Sequence, residues 1–247
     1  MDDLIGRGIV LENNLEKVRT RDVLITAHGA SDRQLQRVRD QGLNVIEATC
    51  PLVHHAHRCV KRLVAEGFHP VIVGKRDHIE VRGLTEDLSA FDIILTEEDV
   101  MQLASRPKFG LAAQTTQPID KVRHLAACVQ RRFPNSEVRF EDTVCQPTKQ
   151  RQKAAVEIAQ QADIVIVIGG AESNNTRELV QTCAKSCSRV FHVHDEKDLR
   201  SIWFHSQDTV VGVTAGTSTP DQTIQQVIRW LEEFASFQQQ LTHEGVV

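Results

Sequence analysis

No apolar run in this chain of 247 residues approaches the length of a membrane span. No large charge excess is present either: the net charge is −4, which gives no footprint for nucleic acid or an anionic lipid surface. The opening MDDLIGRGIV is acidic and lacks a signal-peptide core, which points to a cytoplasmic location. Cys50 and Cys145 do not form the close CxxC pairs of structural zinc sites. Six cysteines are too few for a disulfide scaffold at this length. A purposeful cysteine in a reducing compartment is a metal, cluster or catalytic residue, and any other is a small buried apolar side chain.

What is present is a repeat. The stretch EATCPLVHHAHRCVKRLVAEGFHPVIVG aligns with DTVCQPTKQRQKAAVEIAQQADIVIVIG. Each copy places an acid and a threonine near a cysteine, then a proline suited to the first turn of a helix, where its missing N–H costs nothing. Each helix leads to a β-branched strand ending in glycine, with Cys50 lying 24 residues before Gly74 and Cys145 lying 24 before Gly169. FDIILTEEDV pairs with RVFHVHDEKDL, and FGLAAQTTQPID pairs with VVGVTAGTSTPD. GIVLENNLEKV and VLITAHGASD match these later parts in a first, partial copy, so Ala27 is the counterpart of Ala113 and Ala215. On this logic a third cysteine belongs about 35 to 45 residues ahead of Met1. Cys59, Cys128, Cys183 and Cys187 have no counterparts and are expected in the core.

Short apolar strands alternating with amphipathic helices predict an α/β fold with mostly parallel sheets. The repeat divides it into three pseudo-equivalent lobes, trefoil-like around a central site: a partial lobe over 1–49 and further lobes over 50–143 and 144–247. Ligands of such sheets bind beyond the strand C-termini. The loops there carry His28, His78, Thr115, Thr116, Ser173, Asn174, Asn175 and Ser218. Hydroxyls, amides and helix N-terminal amides suit phosphate oxygens, and the same residues serve as N-caps. Glu80, two places beyond His78, is a candidate proton donor or a surface glutamate. Cysteines at equivalent corners suggest an iron–sulfur centre. Zinc held with His54, His57 or His78 is the rival, although His54 and His57, at i and i+3, fit a solvated helix face.

The motifs AHGAS, EATCPLV, DHIEVRG, QTTQ, DTVCQPTKQRQ, ESNNTREL and GVTAGTSTPD run in one order over nearly the whole chain. Together they resemble the 4-hydroxy-3-methylbut-2-enyl diphosphate reductase, or LytB, family. The resemblance implies three α/β lobes around a 4Fe–4S cluster, with three cysteines holding three irons and the fourth iron free to meet substrate. Cys50 and Cys145 match the second and third cluster ligands, and His28 and His78 match histidines near the diphosphate and the substrate hydroxyl. Glu80 matches the proton-delivering acid, and Thr115 and Thr116 the threonine pair beside the hydroxyl. Ser173, Asn175 and Ser218 match diphosphate ligands, as does Asn174 where the family usually has serine. The implied reaction is a two-electron reductive dehydroxylation giving isopentenyl and dimethylallyl diphosphates, with electrons from a ferredoxin- or flavodoxin-type donor. The family's first cysteine and first histidine precede the portion matched here. That implies a possible separate N-terminal segment as partner, and substoichiometric cluster and little activity for these residues alone. A cluster-poor relative binding a diphosphate or a partner without catalysis is the alternative, and a zinc hydrolase of the same lobed shape is the third reading.

Overall fold

The computed structural model describes residues 5–12, 14–204 and 209–243, with side chains described to residue 240. Residues 1–4 and Asn13 of the expected first lobe therefore lie outside the described residues. In chain order the elements are β1 Asp22–Ile25, α1 Asp32–Asp40, β2 Asn44–Glu47, α2 Pro51–Ala65, β3 His69–Val73, α3 Ile79–Thr85, β4 Asp92–Ile94, α4 Glu97–Gln102 and β5 Lys108–Ala113. There follow α5 Ile119–Arg132, β6 Glu137–Phe140, α6 Gln146–Gln161, β7 Ile164–Ile168, α7 Asn174–Cys183, β8 Val190–Val193, β9 Val211–Ala215 and α8 Asp221–His243. Among the described residues every strand pairing is parallel, in three sheets ordered β1-β2, β4-β3-β5-β6 and β8-β7-β9. The fold class is α/β, as the alternation of strands and helices requires.

The chain forms two compact units, one of residues 1–114 with 125–143 and the other of residues 115–124 with 144–247. In the first unit, α2 presents Val53, Ala56, Val60 and Leu63 along one face, a 3.6-residue period, and all four are buried. Ala56 and Val60 pack with Ile72, Val81, Leu84, Ile93 and Ala112. Burying each of the larger of these side chains contributes about 1.5–3 kcal/mol. Thr96 and Asp99 close a capping box at the start of α4. GIVLENNLEKV, which the repeat matches to the stretches forming β4 and β8, forms no strand at Ile9–Leu11. These side chains are exposed, and among the described residues no strand pairs with them, so apolar pattern alone does not make a sheet member.

In the second unit β7 is buried at all five residues. Val165 and Val167 pack with Ala155 and Ala159 of α6 and Leu179 and Cys183 of α7, while Ile164, Ile166 and Ile168 pack with Val227 of α8. β7 therefore reads as a continuous apolar run because both its faces are covered. Gly212 lets α6 approach β9: a Cβ there would stand 2.2 Å from Ile158 Cγ2. Cys59, Cys128, Cys183 and Cys187 are buried, and burial pushes the Cys183 thiol up to about 11.

The repeat carries into the hydrogen bonding. The strand after each cysteine helix is central, and its last carbonyl accepts the N–H just past the neighbouring strand's alanine. Gln114 donates to Val73 at 2.9 Å and Gly216 donates to Ile168 at 2.8 Å. The amide of Cys50 donates to Ala27 O at 3.0 Å, whereas that of Cys145 donates to Thr115 O at 2.9 Å, two residues past Ala113, the counterpart of Ala27.

Candidate functional site

In the first unit the candidate residues stand beyond the C-terminal ends of β1, β2 and β3. Cys50 is the N-cap residue of α2, with Pro51 in the first turn, and its side chain makes no capping hydrogen bond. Half-buried Cys50 thus occupies a place where Ser, Thr, Asp or Asn would satisfy an amide. The positive end of the helix dipole favours negative charge there. The turn holding His28 is fixed by Gly29, whose φ of +73° is the left-handed region that favours glycine. A Cβ on Gly29 would also stand 2.9 Å from Thr49 Cγ2.

His28 and His78 meet edge to face with ring centroids 5.4 Å apart. Loss of water around the His28 ring lowers its pKa, which favours neutral imidazole. His78 caps α3, its Nδ1 accepting the Glu80 N–H at 3.2 Å, which fixes the tautomer with a proton on Nε2. Glu80 is 1% exposed, so it is a buried carboxyl rather than a surface glutamate. Gln114 stands behind them, its Oε1 accepting from Lys75 N at 3.2 Å, and Gly74 leaves room for its side chain.

A clamp joins the His28 turn to the end of α3. Asp87 accepts from the amides of Asp32 and Arg33 at 2.7 and 3.1 Å, and the Ser31 hydroxyl donates to Glu86 at 2.9 Å. The first amides of α1 are thereby capped by a carboxylate from a distant part of the chain. His54 pairs with Glu47 at 3.2 Å, as a solvated face would allow. His57 does not fit that expectation. Its Nε2 is buried with no hydrogen-bond partner, and burial, Lys61 and His54 lower its pKa against the opposing pull of Asp32 and Asp87.

In the second unit Cys145 is the N-cap residue of α6, again half-buried and without a capping bond. Its Sγ lies 2.9 Å from the Thr148 hydroxyl. Thr115 is buried and Thr116 half-buried in the loop between β5 and α5. Ser173 caps α7, accepting the Thr176 N–H at 3.3 Å. Asn174 Nδ2, Asn175 Nδ2 and Thr176 Oγ1 are buried and have no partner in the protein. Unsatisfied buried donors at a helix N-terminus are costly unless something accepts from them, and an anion is the ligand such a place suits. Ser218 is exposed on the loop after β9, while Thr219 braces that loop by donating to Ile168 O at 3.1 Å.

The profile of the LytB protein family matches residues 1–232. This chain belongs to the LytB protein family. It is 34% identical over 233 residues to the 4-hydroxy-3-methylbut-2-enyl diphosphate reductase of Geobacter sulfurreducens, covering 94% of this chain and 81% of that one. It is 36% identical over 231 residues to the enzyme of the same name from Trichlorobacter lovleyi, covering 93% and 80%. The structure of the E-1-hydroxy-2-methyl-but-2-enyl-4-diphosphate reductase from Plasmodium falciparum superimposes with a TM-score of 0.85 at 25% identity, covering 92% of this LytB chain and 73% of that one.

Each predicted site residue of this LytB member falls at a strand end or a helix start, within its own unit. Sequence reasoning missed Gln114, Thr148, Thr176 and the Asp87 clamp. Among the described residues no helix is long and apolar enough to cross a membrane.

Proposed function

We propose that this chain acts as a 4-hydroxy-3-methylbut-2-enyl diphosphate reductase. The reaction removes the allylic hydroxyl with two electrons and two protons, releasing water and giving isopentenyl and dimethylallyl diphosphates. The observation that carries this reading is the pair of N-cap cysteines, Cys50 and Cys145, at like corners with no capping bond.

Soft thiolate donors at positive helix ends fit an iron–sulfur cluster. Cys50 and Cys145 would hold it, and no third thiolate is assigned. When bound, the cluster supplies electrons and a Lewis-acidic iron. Ser173, Asn174, Asn175 and Ser218 bind the diphosphate, using hydroxyls and the two unpartnered amides. His28 and His78 orient the substrate as neutral donors. Thr115 and Thr116 hold the hydroxyl end. Glu80, buried in the first turn of α3, delivers the proton to the departing hydroxyl oxygen. A ferredoxin- or flavodoxin-type protein supplies the electrons. The three-lobe division at residues 49/50 and 143/144 belongs to the same reading.

Iron and acid-labile sulfide analysis after anaerobic reconstitution tests this, with turnover followed using a chemical reductant. Iron and sulfide bound in the wild type and lost in Cys50→Ser and in Cys145→Ser are expected. Equal iron in both variants, or none in the wild type, would overturn the ligand assignment.

A further inference from the structure

Two neighbouring residues of α6 that the function above does not use tie separate loops to the helix that presents Cys145. Arg151 Nη1 donates to Ala215 O at 2.7 Å and to Gly216 O at 3.4 Å, where β9 opens into the loop carrying Ser218. Gln152 Oε1 accepts from Ile119 N at 3.3 Å. Ile119 is the first residue of α5, and the loop carrying Thr115 and Thr116 ends there. Its amide is one that a helix cannot satisfy internally. Gln152 is 8% exposed, and its Nε2 is buried with no partner.

The other cysteine helix shows a parallel. His57 stands seven residues after Cys50, as Gln152 stands seven after Cys145. It too carries a buried nitrogen without a partner. Its ring lies 3.7 Å from the position a Cβ on Gly83 would take, and Ala30, in the loop after β1, is at the same distance from that position. In each helix, then, the residue two turns past the thiol lies against segments that carry candidate substrate residues.

We propose that Arg151 and Gln152 are positioning residues that fasten the Ser218 loop and the Thr115–Thr116 loop to the Cys145 helix. What the loops bind rests on the functional reading above; the fastening does not. The guanidinium is suited to the first task because its rigid plane holds one nitrogen, Nη1, within reach of two successive carbonyls, which an ammonium on a flexible stem does less well. The glutamine is suited to the second because its carbonyl caps α5 without burying a charge.

The test is hydrogen-exchange mass spectrometry on the full chain, with inorganic pyrophosphate titrated by calorimetry. Arg151→Met should speed exchange about tenfold at 216–219, the size of one charge-assisted hydrogen bond, and leave 119–122 unchanged. Gln152→Leu should do the reverse, and Gln152→Glu, which keeps the acceptor, should restore slow exchange at Ile119. Arg151→Lys should fall between wild type and Arg151→Met, and it keeps the test open if the methionine variant folds poorly. Arg151→Met should also weaken pyrophosphate binding about tenfold, while Gln152→Leu leaves it unchanged. Unchanged exchange in both loops, or an equal rise across all peptides, would refute the fastening. Wild-type protein that ignores pyrophosphate would instead sink the diphosphate reading and leave the exchange result standing.

Discussion

Gly216→Ala probes the loop that carries Ser218. Gly216 follows β9 directly, and a Cβ there would stand 2.2 Å from Thr176 Oγ1, 3.4 Å from Thr176 Cβ and 3.3 Å from Thr219 Oγ1. Thr176 has little room to retreat. It is 1% exposed, sits in the first turn of α7 and is β-branched, so its χ1 is restricted. On its other side Gly169 leaves equally little space, with its own Cβ position 2.4 Å from the same oxygen. The alanine must therefore displace either α7 or the loop. Overpacking of this kind costs about 1–3 kcal/mol. At about 2–4 °C per kcal/mol for a chain of this size, the melting temperature should fall by roughly 2–12 °C.

The control is Thr176→Ala. The Thr176 hydroxyl has no hydrogen-bond partner, so removing it sacrifices no bond, and the lost methyl costs only about 1 kcal/mol. In the double variant the 2.2 Å contact is gone, and only the milder approaches to Thr219 Oγ1 at 3.3 Å and to the Cβ of residue 176 at 3.4 Å remain. A double-mutant cycle by urea denaturation should then show a favourable coupling of about 1–2 kcal/mol. Additive losses, or a Gly216→Ala protein as stable as wild type, would refute the view that these two glycines exist to seat Thr176.

Glu80→Gln should lower turnover about 10²–10⁴-fold with iron content unchanged, because the amide cannot donate the proton; a rate near wild type in a steady-state assay would remove Glu80 from that role. His28 and His57 both have folded-state pKa values below the ordinary 6.5, chiefly through burial. Their neutral forms therefore contribute stability that is complete above about pH 6.5 and is lost as pH falls through the lowered values. Urea midpoints should drop between pH 7.5 and pH 5, and His57→Gln should flatten that slope; an unchanged slope would contradict the burial argument.

The residues most legible in the sequence were those whose local grammar is complete. A strand, a cysteine and a proline in the next turn mark a corner whether or not anything else is known, and both corners formed as read. Glu80 was harder, since DHIEV fits a surface loop equally well. Its burial comes from α3 folding back beneath β3, with Val81 and Leu84 in the core shared with α2 and β4. The clamp by Asp87 spans 55 residues in sequence, and nothing near either end announces it. The missing strand at Ile9–Leu11 is the converse case, a correct local pattern with no partner among the described residues.

Gln152 lies between these extremes, because a signal for it was there in the phase of the helix. The buried positions of α6 are Thr148, Gln152, Ala155 and Ala159, a stripe that advances by four, three and four residues. Two polar residues therefore stand where the helical period directs the chain inward. A polar group directed inward must find a partner or carry the cost of burial. One end of Gln152 finds Ile119, while Thr148 reaches the cysteine sulfur. The stretch QPTKQRQ looks like a solvated face only if its polarity is counted without its phase. Once phase is included, the polar residues within two turns of Cys145 mark where the helix reaches toward loops rather than toward water, and that requirement could have been read before the partners were known.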